Sequence, residues 1–305
     1  MLASGKSAHF NALLADLSAS TCRTALVTSE DFSLLHARPD ALQVMADGLR
    51  SVGYRPIVVV YLRPQAVFAE SMYVERIKHD YVRPLPGFVQ TVLETGSYLP
   101  DGTVIHMEFQ YTRLLEPFVR VFGKESVVVR PYEAQKGVAH IFEDFLSIVR
   151  TADPDFARTP MTLQVHAPRA NDSLKFLELL YTAYASLHKG KIASPGTIGN
   201  DLVAMVRQID PEFPEEALVA RFALITREET LEFLRKFGPD NLAVEREFGI
   251  RVAFTNEQDI GPAGDALWER ARLDRQVFDA LLERWMSEPR NERPSDNDFA
   301  DARLT

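Results

Sequence analysis

The hydrophobic pattern changes character three times between residues 24 and 78. Residues 24–29, TALVTS, and 57–62, IVVVYL, are short uncharged runs rich in β-branched side chains. Such runs suit strands buried on both faces of a parallel sheet. Between them, residues 39–50 carry apolar positions at helical spacing, with Pro39 at a favourable first-turn position and Gly53 as a stop. A strand–helix–strand unit predicts two parallel strands joined by a right-handed crossover. Arg63 and Pro64 end the second run, and from about residue 66 to 78 the period is helical again. Val67, Met72, Val74 and Ile77 are apolar there, whereas Glu70, Glu75, Arg76 and Lys78 are not.

The same alternation continues downstream. Residues 109–122 read as a helix ending at Gly123, 126–129 as a third strand followed by Arg130-Pro131-Tyr132-Glu133, and 140–150, HIFEDFLSIVR, as an amphipathic helix. The intervening stretch 79–106 holds Pro84, Pro86, Gly87, Gly96, Pro100 and Gly102. It reads either as an insertion that closes over a ligand at the sheet edge or as a surface excursion with a short helix. Before the first strand, residues 1–20 read as a loop and an amphipathic helix. Past residue 151 the pattern is helical, with segments expected at 174–188, 201–208, 215–224, 227–237, 241–248 and 268–285 and a linker turn at 195–200. The last helix has an apolar stripe that serves either core packing or a homodimer contact. Residues 288–305 are polar and proline-containing, the composition of a disordered tail. The expected organisation is therefore an α/β core over 1–150 with a parallel sheet, a mostly helical extension over 151–287, and the tail.

Composition narrows the classes. With 46% apolar and 25% charged residues the chain has the make-up of a soluble globular protein. A net charge of −9 argues against a general nucleic-acid binder. Cys22 is the one cysteine, so no internal disulfide forms, which fits a reducing compartment. No run is long enough to span a membrane and no secretory signal is present, so the expected location is the cytoplasm. The seven histidines show no His-x-x-x-His or cysteine-partnered spacing, so no metal is expected. There is no G-x-G-x-x-G after a strand and no G-x-S-x-G elbow, which disfavours dinucleotide oxidoreductases and α/β-hydrolases.

The chemistry that remains lies at the carboxyl edge of the predicted sheet, where open α/β folds bind ligands. Arg63 offers a planar fork of donors, the following helix start adds backbone N–H groups and a positive dipole end, and Ser71 adds a hydroxyl about one turn in. Such a set can hold a phosphate group; read bare, it is also an ordinary strand–helix unit with a surface arginine. Glu30 directly follows the first strand and is expected at the same edge. A positioned carboxylate there can take a proton from an attacking hydroxyl, or simply cap the next turn or pair with Arg63. Asp31 and His36 are weaker candidates for the same duty.

A strand ending in arginine with a serine eight positions later resembles the 3′-phosphate-binding segment of sulfotransferases, which use 3′-phosphoadenosine-5′-phosphosulfate as donor. VVVYLRPQAVFAESMY is most similar to bacterial sulfotransferase-like proteins, and the resemblance covers roughly residues 24–150. It implies a core of the P-loop and sulfotransferase type, with Arg63 and Ser71 on the donor's 3′-phosphate. TSEDFS resembles the (S/T)SE segment found at this place in bacterial relatives, and some sulfotransferases use a glutamate base, so the resemblance makes Glu30 the candidate for that role. The helix–strand–RPYE arrangement matches a family Tyr-Glu pair that is mainly framework, and LRKFGPDNLAVEREFG matches a packing motif. The segment Pro168-Arg169-Ala170-Asn171-Asp172-Ser173 is similar to a family Asn-x-Ser segment near the cofactor phosphate, which brings Arg169, Asn171 and Ser173 into the cofactor set; Asn, Asp and Ser are also strong helix caps. Family members normally begin with a strand and a Lys/Ser/Thr/Gly-rich loop that grips the 5′-phosphosulfate. Here Gly5-Lys6-Ser7 follows neither an earlier glycine nor a strand, so the core is expected to be incomplete at that end.

Two functions follow. The first is transfer of a sulfuryl group to a hydroxyl acceptor such as a carbohydrate, without a metal. The second is a non-catalytic sulfotransferase-like protein that binds a nucleotide, a glycan or a partner protein.

Overall fold

The computed structural model describes residues 7–77, 84–99, 106–132, 138–154, 156, 179–180, 182–183, 224–252 and 265–287. The architecture is α/β and mostly helical, with a small parallel sheet. The described residues fall into two compact units. One is drawn from within Met1–Phe68, Gln90–Pro168 and Thr230–Gly261, the other from within Ala69–Val89, Arg169–Glu229 and Pro262–Thr305. No helix among the described residues is long and apolar enough to cross a membrane.

In the first unit, strands β1 (Val58–Leu62) and β4 (Val127–Pro131) pair in parallel, in register from Val58 opposite Val127 to Leu62 opposite Pro131. The Tyr132 N–H donates to the Leu62 carbonyl at 2.7 Å, carrying the ladder one residue further. Helices α1 (Ser7–Ala19), α2 (Pro39–Ser51), α5 (Tyr111–Phe122) and α6 (Val138–Ala152) fall close to their expected bounds. Tyr111, Leu115, Phe118 and Phe122 recur at one-turn spacing and form the buried stripe of α5. They pack with Leu42 and Ala46 of α2, Leu62, Val127 and Val129 of the strands, and Val244 and Val252. Removing a stripe of this kind from water is what holds an amphipathic helix on its sheet.

Two expectations change here. Residues 24–29 form no strand, and Leu26 is 67% exposed. Apolar composition alone does not make a strand; a partner ladder and a covering layer must also be supplied. This stretch is instead pinned at and just before its start: Thr24 Oγ1 donates to Asp153 at 2.6 Å, and Tyr54 donates its hydroxyl proton to the Cys22 carbonyl at 2.7 Å. Nor is β1 buried on both faces. Leu62 is buried, while Val58 to Tyr61 are half-buried, as expected for a described sheet of two strands.

The proline- and glycine-rich stretch after residue 79 contains a three-turn helix, α4 (Leu85–Thr95), with Leu85, Phe88, Val89 and Val92 buried. Pro86 does not break it, because it lies in the first turn, where a missing N–H costs no hydrogen bond. The helix ends at Gly96, whose N–H donates to Val92 O at 2.9 Å and whose φ is 76°. Strand β2 (Ser97–Tyr98) then pairs antiparallel with β3 (Met107–Glu108). Helix α7 (Arg227–Phe248) is continuous through Gly238-Pro239, where the pattern suggested two helices.

The second unit has its own core and an ionic network around buried Arg275. It includes the greater part of α3 (Gln65–Ile77) and helix α8 (Asp265–Ser287). Tyr73 packs against Phe88 with tilted rings, centroids 5.5 Å apart, and meets Phe278 edge-on at 6.0 Å. The Glu70 carboxylate accepts from the N–H groups of Leu224 and Ile225 at 2.6 and 3.0 Å. Buried Arg275 donates to the Leu224 carbonyl, to Glu229 and to Asp279. Thr226 and Glu229 form a reciprocal capping box at the start of α7, which satisfies amide groups that a helix start leaves open.

Candidate functional site

Parallel pairing puts the carboxyl ends of β1 and β4 at one edge, and Arg63 lies in the turn that leaves it. Three contacts define this turn. The Arg63 guanidinium carbon sits 4.1 Å above the centre of the Tyr132 ring, a cation–π distance. The Tyr111 hydroxyl donates to the Arg63 carbonyl. Complete burial pushes the Tyr111 phenol up beyond its usual range, an effect the Arg63 charge opposes, so the group stays a neutral donor. Two residues past Arg63, Gln65 is buried and exchanges hydrogen bonds with the side-chain amide of Asn241, at 2.7 and 3.0 Å. The turn is therefore clamped from β4, α5 and α7.

Neighbouring Asp240 holds the start of α5. Its carboxylate accepts from the Tyr111 N–H at 2.6 Å and from the hydroxyl of Thr112. Carboxylates at a helix N-terminus meet both the open N–H groups and the positive dipole end. Asp240 and Asn241 both lie in the GPDN segment, so this segment positions the β1 turn and α5 through side chains. Sequence reading marked it as packing but offered no signal for either partner, because the hydrogen bonds span 128 to 176 positions.

The other expected site residues are distributed as follows. Ser71 is exposed on α3. Glu30 opens a 3₁₀ helix, Glu30–Ala37, capped by Ser29, whose Oγ accepts from the Asp31 N–H. Its expected strand is not formed, so the reason for placing it at the β1 edge does not hold. Arg169, Asn171, Ser173 and the tail 288–305 lie outside the described residues.

A second group of chemically capable side chains was not foreseen as a group. His36 from the 3₁₀ helix and His106 and Glu108 from the β3 segment converge, with one ligand-type atom from each within 4.8 Å of the others. His36 Nδ1 lies 2.7 Å from the Ser33 carbonyl and Nε2 lies 2.9 Å from His106 Nδ1. A carbonyl only accepts, so His36 carries its proton on Nδ1 and turns an Nε2 lone pair towards His106. Burial holds His36 below the usual histidine range, against the pull of the Ser33 carbonyl. Burial likewise raises Glu108, opposed by the hydrogen bond from Gln110 N–H and by the charges of His106 and Arg113.

Two cavities are less suited to chemistry. A groove of about 490 Å³ runs along α5 and the end of α7. Arg113, Arg120, Glu116 and Glu247 balance its charge, so it gives an anion no electrostatic preference. A small recess beside Tyr61 is closed by the Tyr61 hydroxyl donating to Asp144 at 2.7 Å, with Arg130 Nε 3.4 Å from the same carboxylate.

Comparison of the chain with protein-family models, curated proteins and solved structures finds no match.

Proposed function

We propose that this chain is a sulfotransferase-like protein that binds 3′-phosphoadenosine-5′-phosphosulfate and passes its sulfuryl group to a hydroxyl acceptor, carbohydrates being the leading class. The observation that carries the reading is the setting of Arg63. It follows a parallel strand at the carboxyl edge of an α/β sheet, the edge at which open α/β folds generally bind ligands, and its guanidinium is steadied by the Tyr132 face. Arginine at such a point offers two parallel donors to a phosphate. The sequence resemblance adds Ser71, Arg169, Asn171 and Ser173 to the cofactor set, and a P-loop-type core in the cytoplasm as the context.

The reaction asks little covalent chemistry of the protein. The acceptor oxygen attacks sulfur, the bond from sulfur to the 5′-phosphate oxygen breaks, and adenosine 3′,5′-bisphosphate leaves with the electron pair. The acceptor proton goes to a base, for which Glu30 is the candidate. No metal is required for these steps.

A second reading, binding without transfer, is favoured by one observation: residues 24–29 do not pair with β1, so Glu30 is not delivered to the sheet edge by a neighbouring strand. Calorimetry with adenosine 3′,5′-bisphosphate tests what both readings share. The wild type should bind, and Arg63→Ala should lose about 1.5–3 kcal/mol, as for a charge-assisted hydrogen bond. Equal affinity in a folded variant removes the nucleotide from both. Transfer of radiolabelled sulfate to glycans and small alcohols then separates them: turnover abolished by Glu30→Gln supports the enzyme, and binding without turnover supports the second reading.

A further inference from the structure

His36, His106 and Glu108 form the one cluster of three metal-ligating side chains found among the described residues. We infer that they bind a single zinc-class divalent cation through His36 Nε2, His106 Nδ1 and the Glu108 carboxylate, with a fourth position left for water. This site is independent of the sulfuryl-transfer reading, and sequence spacing had led to no metal being expected.

Four observations carry it. First, the ligand set is chemically matched. Two imidazoles and one carboxylate suit zinc and its transition-metal neighbours, whereas magnesium and calcium prefer all-oxygen sites. Second, His36 is already oriented as a ligand. Its Nδ1–H is held by the Ser33 carbonyl at 2.7 Å, which fixes the tautomer and points Nε2 inward. Metal-bound histidines generally have such an outer partner.

Third, the dimensions are close. Zinc–nitrogen bonds of about 2.0–2.1 Å at a tetrahedral angle place ligand nitrogens roughly 3.3–3.4 Å apart. His36 Nε2 and His106 Nδ1 are 2.9 Å apart, and all three ligand atoms lie within 4.8 Å. Opening the histidine pair by a few tenths of an ångström and closing the carboxylate by about an ångström or a little more completes the set. His106 then moves its single proton from Nδ1 to Nε2, which frees the Nδ1 lone pair for the cation.

Fourth, two of the ligands are held out of bulk water and already oriented. His36 and Glu108 are 7% and 6% exposed, and the Gln110 N–H on the Glu108 carboxylate at 2.8 Å is an outer partner that fixes its direction. His106 is half-buried, so water can reach the fourth position from its side. The ligands come from two separate pieces of the first unit. His106 and Glu108 flank Met107 and so project to one side of the β3 segment; His36 comes from the last turn of the 3₁₀ helix. A bound cation would tie the helix that begins at Glu30 to the β2–β3 pair.

The test uses the full chain without a histidine tag, stripped with chelator and then given zinc or cobalt chloride. We expect one equivalent retained after desalting, by elemental analysis, and a visible cobalt spectrum of tetrahedral intensity. His106→Gln and His36→Gln should each weaken zinc by at least about 100-fold, since even outer-shell partners of a metal cost 10–100-fold. Glu108→Gln should weaken it similarly, while His9→Gln on α1 should not. Because His106 is half-buried, its variant is the least disruptive of the three, and circular dichroism checks its fold. Retention of less than a tenth of an equivalent by folded wild type overturns the proposal. So does a His36→Gln/His106→Gln double variant that still binds zinc with wild-type affinity.

Discussion

Gln65 and Asn241 lie 176 positions apart and exchange two amide hydrogen bonds, 2.7 Å from Gln65 to Asn241 and 3.0 Å in return. Gln65 is 4% exposed and Asn241 1%, so neither amide has water to fall back on. This pair fixes the first residue of α3 against α7, two residues past Arg63. Truncating Gln65 leaves the Asn241 amide buried without its partner, and truncating Asn241 leaves Gln65 Oε1 without one although Nε2 still reaches the Phe109 carbonyl at 3.3 Å; a buried polar group so stranded costs about 1–3 kcal/mol. Gln65→Ala and Asn241→Ala should therefore each lower stability by about that amount in urea denaturation. The double variant should cost clearly less than the sum, because residues sharing one hydrogen-bond pair are coupled. Strict additivity would show that the pair is not an energetic unit.

Asp240 caps α5 through the Tyr111 N–H and the Thr112 hydroxyl. Asp240→Ala should destabilise the protein by about 0.5–2 kcal/mol, the usual cost of losing a cap. Asp240→Asn should recover part of that, since the amide oxygen still accepts but the interaction with the helix dipole is gone. Thermal unfolding of the two variants under identical conditions orders them, and an asparagine variant weaker than alanine would contradict the capping role.

Gly96 has φ 76°, and a Cβ placed there would sit 3.0 Å from the Gln110 side chain. The left-handed conformation alone disfavours other residues by roughly 1–2 kcal/mol. Gly96→Ala should lower the urea midpoint accordingly, and Gly96→Val further, because a β-branched side chain suits that conformation least. An unchanged midpoint for Gly96→Val would mean that the turn between α4 and β2 re-forms at no cost.

Tyr132 supports Arg63 through its ring face, 4.1 Å from the guanidinium. On the proposed function, Tyr132→Leu should weaken adenosine 3′,5′-bisphosphate by about two- to fivefold, the equivalent of a cation–π contact of about 0.5–1 kcal/mol. Tyr132→Phe should stay near wild type. Calorimetry on both variants distinguishes ring-face support from a role of the hydroxyl, which would make the phenylalanine variant the weaker binder.

Helix periodicity was legible wherever one face is buried against a neighbour. The spacing of Tyr111, Leu115, Phe118 and Phe122 is a local property of the chain, and α5 follows it to the glycine that stops it. The same local rules failed at residues 24–29, where TALVTS has strand composition and Leu26 is exposed. At 79–106 the short helix, one of the two expected alternatives, is present, with Pro86 harmless in its first turn. A strand is completed by its partner, and the partner is not written in the strand's own residues.

Sequence by itself determined the α/β character, the helices with a clear stripe, strands at 57–62 and 126–129, and the place of Arg63 at a strand end, whereas the expected pairing of 57–62 with 24–29 is replaced by pairing with β4. Those follow from period, capping and turn chemistry within a few residues. Tertiary structure alone decided which distant side chains meet. Asn241 reaches Gln65 across 176 positions and His36 meets His106 across 70. Hydrogen bonds and metal geometry act over about 3 Å of space with no reference to separation along the chain. Contacts of that kind come into being only when packed helices and strands bring their residues together.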